Sequence, residues 1–169
     1  VLSLEEANIL GGNVHLVVRT HPLLNLLNSQ VYLNPPPNVH FYPKISTSPN
    51  SSADDNDLYL SSILHSHVVL GQNTSAFLDV CLLDRPCITL PEYPGLYNPN
   101  KFGHIQLLLD GNFIHQPSNT LQLTNLVTDI LVNSGDSLQH NRSAFIDSFL
   151  YPSSSRPSAS IFDKINNVI

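Results

Sequence analysis

The residues best suited to chemistry lie between His67 and Leu90, in the stretch HVVLGQNTSAFLDVCLLDRPCITL. A short apolar run, His67 to Leu70, meets Gly71 and the polar turn Gln72-Asn73-Thr74-Ser75; Phe77, Leu78, Cys81 and Leu82 then recur at helical spacing. Glycine allows another group close to the backbone, and Thr74 or Ser75 would cap a helix whose first N–H groups have no intrahelical partner. Free N–H groups, hydroxyls and the positive end of a helix dipole suit a phosphate. Most strand-to-helix turns of this kind bind nothing, so the turn needs independent support.

That support comes from the elements around it. VHLVVR, Val14 to Arg19, reads as a strand buried on both faces, followed at once by Thr20-His21-Pro22. Further strands are expected at Val39 to Tyr42, at Cys87 to Leu90 after Pro86, and at Asn112 to His115. Helical spacing marks Val1 to Leu10 (ended by Gly11-Gly12), Leu23 to Gln30, Asp57 to Leu64, Lys101 to Leu109, Thr120 to Val132, Leu138 to Leu150 and Ala159 to Ile169. Between them Pro35-Pro36-Pro37 is a stiff link, Ser46 to Asn56 an exposed loop, and Pro91 to Asn100 a turn-rich loop of the length that often covers a site. Strands alternating with helices imply an α/β, Rossmann-like three-layer domain, a mostly parallel sheet with helices on both faces and right-handed crossovers. Ligands of such folds sit beyond the carboxyl ends of the strands. Arg19, His21, Gly71 to Ser75 and the Pro91 to Asn100 loop would all converge there.

Each of these residues also has a plainer use. Arg19 could pair with Asp54, Asp55 or Asp57, and His21 could cap the neighbouring helix. His15, His40 and His115 fall in strands and His140 in a helix, where packing or surface roles are expected, and the pair His65 and His67 lacks a third ligand at sensible spacing. No metal site is therefore assigned.

A chain of 169 residues without repeats fits a single domain with a real core. Net charge of -6 and a pI near 5.6 argue against a nucleic-acid surface built on many phosphate contacts. No apolar stretch reaches the roughly 20 residues that span a bilayer, and the start lacks the layout of a signal peptide. A chain that opens in mid-helix suggests a longer parent. Cys81 and Cys87 lie on apolar faces without metal-ligand spacing and are expected to be buried free thiols, which favours a reducing compartment. Three glycosylation sequons, at Asn50, Asn73 and Asn141, are read as chance matches in an Asn- and Ser-rich chain.

The order of these motifs is similar to a known pattern. VVRTHP, then Asp57-Leu58-Tyr59 opening a helix, a strand, a Thr-Ser turn, a helix running into Cys-Leu-Leu-Asp-Arg-Pro, and CITL together resemble the carboxyl-terminal half of two-domain nucleotide-sugar glycosyltransferases of the GT-B fold. Within that fold the chain looks most like the CDP-glycerol glycerophosphotransferases and capsular polysaccharide transferases of bacterial surface-polymer synthesis. Arg142 with Phe145 and Phe149, then Arg156, Ala159, Ser160 and Ile161, resembles the family's closing helices. The chain departs from the family at Asp79, where a Glu is usual, at Asp84-Arg85-Pro86 for Gly-Lys-Pro, and at Pro157, near a missing Gly.

What the resemblance implies is a donor-binding domain. Gly71, Gln72, Asn73, Thr74 and Ser75 would hold the diphosphate of a nucleotide-activated donor, Arg19 and His21 would face the same anion, and Asp79 would accept hydrogen bonds from ribose hydroxyls. His21 is the one catalytic candidate, in a leaving-group role; a catalytic base would come from a missing amino-terminal acceptor domain. No cofactor is implied and no divalent metal is indicated, because helix N-termini and basic side chains stabilise the leaving diphosphate. The expected location is cytoplasmic, with the inner face of the membrane as a variant. Two other readings compete. One is a non-catalytic Rossmann-like module for a partner protein or nucleotide; the other is a half-domain of the UDP-N-acetylglucosamine 2-epimerase type, disfavoured by the non-glycine turn.

Overall fold

The computed structural model describes residues 14–19, 34–42, 53–72, 74–91 and 103–150. The helices expected at Val1 to Leu10, Leu23 to Gln30 and Ala159 to Ile169, together with His21, Asn73 and nearly all of the Pro91 to Asn100 loop, lie outside the described residues. The fold is α/β, with two small parallel sheets of two and three strands and helices between the strands. Its contacts divide the chain into two compact units, Val1–Leu60 and Ser61–Ile169.

In the first unit β1 (Leu16–Val18) pairs in parallel with β2 (Val39–Phe41), Val17 opposite His40. The two runs, rich in β-branched and aromatic residues, adopt extended backbone, and Asn38 locks their entry: its carbonyl accepts from Leu16 N–H at 2.8 Å and its side-chain amide donates to the Val14 carbonyl at 3.1 Å. The expectation that VHLVVR is buried on both faces is corrected, since Leu16 and Val17 are 43% and 51% exposed. Among the described residues β1 has a single partner strand, and of the β1 and β2 residues it is Val39 that enters a core. Helix α1 (Ala53–Leu64) starts four residues earlier than the apolar pattern announces and takes in the end of the expected Ser46 to Asn56 loop. Apolar spacing marks only where a helix is buried, so an opening of polar residue types carries no periodic signal.

The second unit is a three-stranded parallel sheet in the order β3 (Val69–Gly71), β4 (Cys87–Thr89), β5 (Ile114–His115). Parallel neighbours need a crossover, and the chain supplies α2 (Ala76–Leu82) between the first two and α3 (Gly103–Asp110) between the last two. β4 is the central strand, and Cys87 and Ile88 are fully buried as an apolar central strand requires. In α2 the inner stripe is Phe77, Val80 and Cys81, spaced three and four apart, so Leu82 turns outward at 40% exposure instead of joining the core. Helix α4 (Thr120–Asn133) is capped by Asn119, whose side-chain oxygen accepts from Gln122 N–H at 2.9 Å, and it buries Leu123 and Ile130. Leu138 to Leu150, expected as one helix, is α5 (Gln139–Phe145) passing into a π-helical turn (Ile146–Leu150). Phe145 packs on Phe113 with ring centroids 4.7 Å apart. Gly111 sits beneath that pair, where a Cβ would come within 2.5 Å of Phe145, so no larger residue fits.

Candidate functional site

The polar turn after β3 is built as a tight strand-to-helix connection. A Cβ at Gly71 would meet Thr74 Cγ2 at 3.0 Å and the Phe77 ring at 3.1 Å, so the glycine is required by the turn's own side chains. Thr74 is the capping hydroxyl: its Oγ1 accepts from Ala76 N–H at 3.1 Å, and its carbonyl accepts from Phe77 N–H at 3.3 Å. Ser75 is the residue that enters the helix, with φ -64° and ψ -16°, and its exposed side chain makes no cap bond. Gln72 is exposed beside it, and Asp79 is half-buried in the first turn of α2. Two hydroxyls that look equivalent in the sequence thus do different jobs.

Arg19 belongs to the first unit and the turn to the second. Continuing the β1–β2 register past Val18 sets Arg19 beside Tyr42, and its guanidinium carbon lies 5.7 Å from that ring's centroid and 5.2 Å from that of Tyr59 on α1. Two aromatic faces orient a guanidinium and strip water from it without satisfying its N–H donors. Its Nη1 is accordingly buried with no hydrogen-bond partner. A buried donor left unpaired is costly, and an anion would relieve that cost.

A second polar cluster was not foreseen from the sequence. Arg142 on α5 is 1% exposed, and its Nε and Nη2 both donate to Asp84 Oδ1 at 2.9 Å while Nη2 reaches Asp136 Oδ2 at 2.5 Å. Asp136 also faces His115 Nε2 at 3.2 Å and accepts from Leu138 N–H, and Gln139 donates to the other oxygen of Asp84. Burial alone would raise the pKa of Asp136; hydrogen bonds from Arg142 and His115, the Arg142 charge and the Leu138 amide outweigh it and hold the carboxyl below its ordinary value. Burial likewise works against the charge on Arg142, and its two carboxylate partners overcome that and raise its pKa. Asp84, which stands where the resembled family has glycine, adopts φ 50° after α2. An aspartate tolerates that conformation better than most residues, and here it gains an ion pair that glycine could not make. The available signal was the scarcity of charge: with only 7 Lys and Arg in the chain, an arginine on an amphipathic helix warrants a partner.

Both thiols are buried and free. Burial pushes Cys81 up to about 11 and Cys87 to about 12, against a smaller lowering effect of the Arg142 charge on each, so neither is poised as a nucleophile. Beyond the carboxyl end of β5, Gln116, Pro117, Gln122, Asn125, Leu126 and Asp129 line an open cleft of about 490 Å³. Among the described residues no group of three or more His, Cys, Asp or Glu side chains could hold a metal, and no helix is long and apolar enough to cross a membrane. Comparison with protein-family models, curated proteins and solved structures found no match to this chain.

Proposed function

We propose that this chain is the donor-binding half of a transferase of the GT-B type, one that moves a sugar or glycerophosphate from a nucleotide-activated donor during synthesis of a surface polysaccharide. The observation that carries the reading is Arg19: a guanidinium at the carboxyl end of a strand, held between two tyrosines, with a buried N–H donor left for an anion. The strand-turn-helix at Gly71 to Ser75 supports it from the second unit, because the Ser75 hydroxyl takes no part in capping. In this account Gln72, Asn73 and Ser75 of the second unit bind the diphosphate, Thr74 and Gly71 shape the turn and Asp79 receives the ribose, while in the first unit Arg19 offers a cation to an anion and His21 assists the leaving group. The acceptor and the catalytic base belong to a further domain, no metal is required, and the enzyme works in the cytoplasm or at the inner face of the membrane.

A second reading has its own observation. The space over Gly71 is filled by Thr74 and Phe77, and α2 is only seven residues long, which favours a turn made for packing in a non-catalytic module. Calorimetric titration with CDP, UDP, GDP and ADP separates the two. Saturable binding of one diphosphate, weakened in both Arg19→Ala and Ser75→Ala, supports the donor domain; a folded chain that binds none of them supports the module.

A further inference from the structure

Neither the Gly71 to Ser75 turn nor Arg19 accounts for the cleft beyond β5. It opens at the carboxyl edge of the three-stranded sheet, between Gln116-Pro117 and one face of α4, and its volume of about 490 Å³ suits a small molecule. Gln122, Asn125, Leu126 and Asp129 recur three and four residues apart, so they share that face of the helix. Two of its polar ends are fixed from behind. Gln122 Oε1 accepts from Ser118 N–H at 2.8 Å, which leaves Nε2 to donate elsewhere. Asp129 Oδ1 accepts from Asn133 Nδ2 at 2.9 Å, and the carboxylate lies against Gly135, where a Cβ would overlap it. Gln116 and Asn125 are exposed, have no side-chain partner among the described residues, and each offers both donors and an acceptor. Buried Pro117 and half-buried Leu126 supply an apolar surface beside them.

We propose that this cleft binds an uncharged sugar ring. This goes beyond the donor-binding reading and does not depend on it. The lining holds no cation and Asp129 adds a negative charge, so phosphates and carboxylates are repelled. A wholly apolar ligand would strip water from three amides and a carboxylate and give nothing back. A sugar carries hydroxyls around its rim and C–H groups on its face. The hydroxyls can donate to Asp129 and accept from Gln122 Nε2, with Asn125 between them able to do either, while the C–H face packs on Pro117 and Leu126.

The experiment is nuclear magnetic resonance titration of the isotope-labelled full chain with the methyl glycosides of glucose, galactose, mannose and N-acetylglucosamine. The expected result is saturable shifts of α4 and of the Gln122 and Asn125 side-chain amides with one of them, at a Kd on the order of 1 mM. Affinity should fall about fivefold in Asn125→Ala and about tenfold in Asp129→Asn. It should be unchanged in Thr124→Ala, whose hydroxyl bonds to the Thr120 carbonyl of its own helix and does not line the cleft. Circular dichroism confirms that each variant is folded. Tighter binding of maltotriose or cellotriose than of the methyl glucoside assigns the site to a residue of a glycan chain, and equal affinity assigns it to a single ring. No saturable shift with any glycoside, unchanged affinity in both Asn125→Ala and Asp129→Asn, or tighter binding of glucose 6-phosphate or glucosamine than of the neutral glycosides, overturns the proposal.

Discussion

Arg19 and Arg142 are two arginines with a buried guanidinium nitrogen, and the chain treats them in opposite ways. Arg142 is met by two carboxylates, so its charge is neutralised by side chains of its own unit and it ties α5 to the end of α2 and to the loop after α4. Arg19 is met by two tyrosine rings; both arginines keep a buried Nη1 without a partner, so what differs is the rings in place of carboxylates. A buried charge paired with carboxylates is part of the fold, whereas one clamped by rings still has its charge to offer a ligand. The lesson is that burial alone does not separate a structural arginine from a binding one; the nature of its neighbours does.

The sharpest way to break this contrast is to remove each arginine and read both stability and binding. Arg142→Met should destabilise the second unit by about 3–5 kcal/mol in urea unfolding, because it leaves Asp136 buried without its cation. Arg19→Ala should cost about 1–3 kcal/mol of nucleotide-diphosphate affinity in calorimetry, the scale for a hydrogen bond to a charged group, and only about 0.5–1 kcal/mol of stability from the lost ring contacts. If the two effects were exchanged, the roles given to these residues would be wrong.

Acid offers a milder perturbation of the same cluster. Folded Asp136 holds its proton more weakly than it does unfolded, so the unfolded chain takes up more protons as pH falls. Its stabilisation is complete above the ordinary carboxylate value of about 4 and is lost as pH drops through the lower folded value. Stability measured from pH 7 downward should follow that course, and Asp136→Asn should flatten this part of the acid slope. A smaller effect than that of Arg142→Met is expected for Asp84→Gly, which relaxes the backbone at φ 50° but takes the acceptor from the buried Arg142 Nε; the net cost should be about 1–2 kcal/mol by thermal unfolding.

The alternation of strands and helices was legible because apolar periodicity reports burial, and β3 to β5 with α2 to α4 stand within a few residues of where that spacing put them. The thiols were legible for the same reason, and Cys81 and Cys87 are buried as expected. Exposure was not: VHLVVR reads as a core strand, yet Leu16 and Val17 face outward, since apolar content does not reveal how many strands and helices cover a strand. In the turn, residue types pointed to a hydroxyl cap but could not separate Thr74, which caps, from Ser75, which does not. Least legible were contacts between residues far apart in the chain. Arg142 with Asp84, and His15 with His40, carry no local signal because pairing across 58 and 25 residues is set by topology.

The claim most open to test is the proposal that the exposed Ser75 hydroxyl, which makes no cap bond, serves an anionic ligand. Its most direct test is calorimetric titration of the chain and its Ser75→Ala variant with CDP, UDP, GDP and ADP, with and without magnesium. Ser75→Ala removes no cap bond, so its fold should be intact while affinity for one diphosphate falls, with no requirement for the metal. Equal affinity in parent and variant, or no binding by the folded parent, would contradict the account.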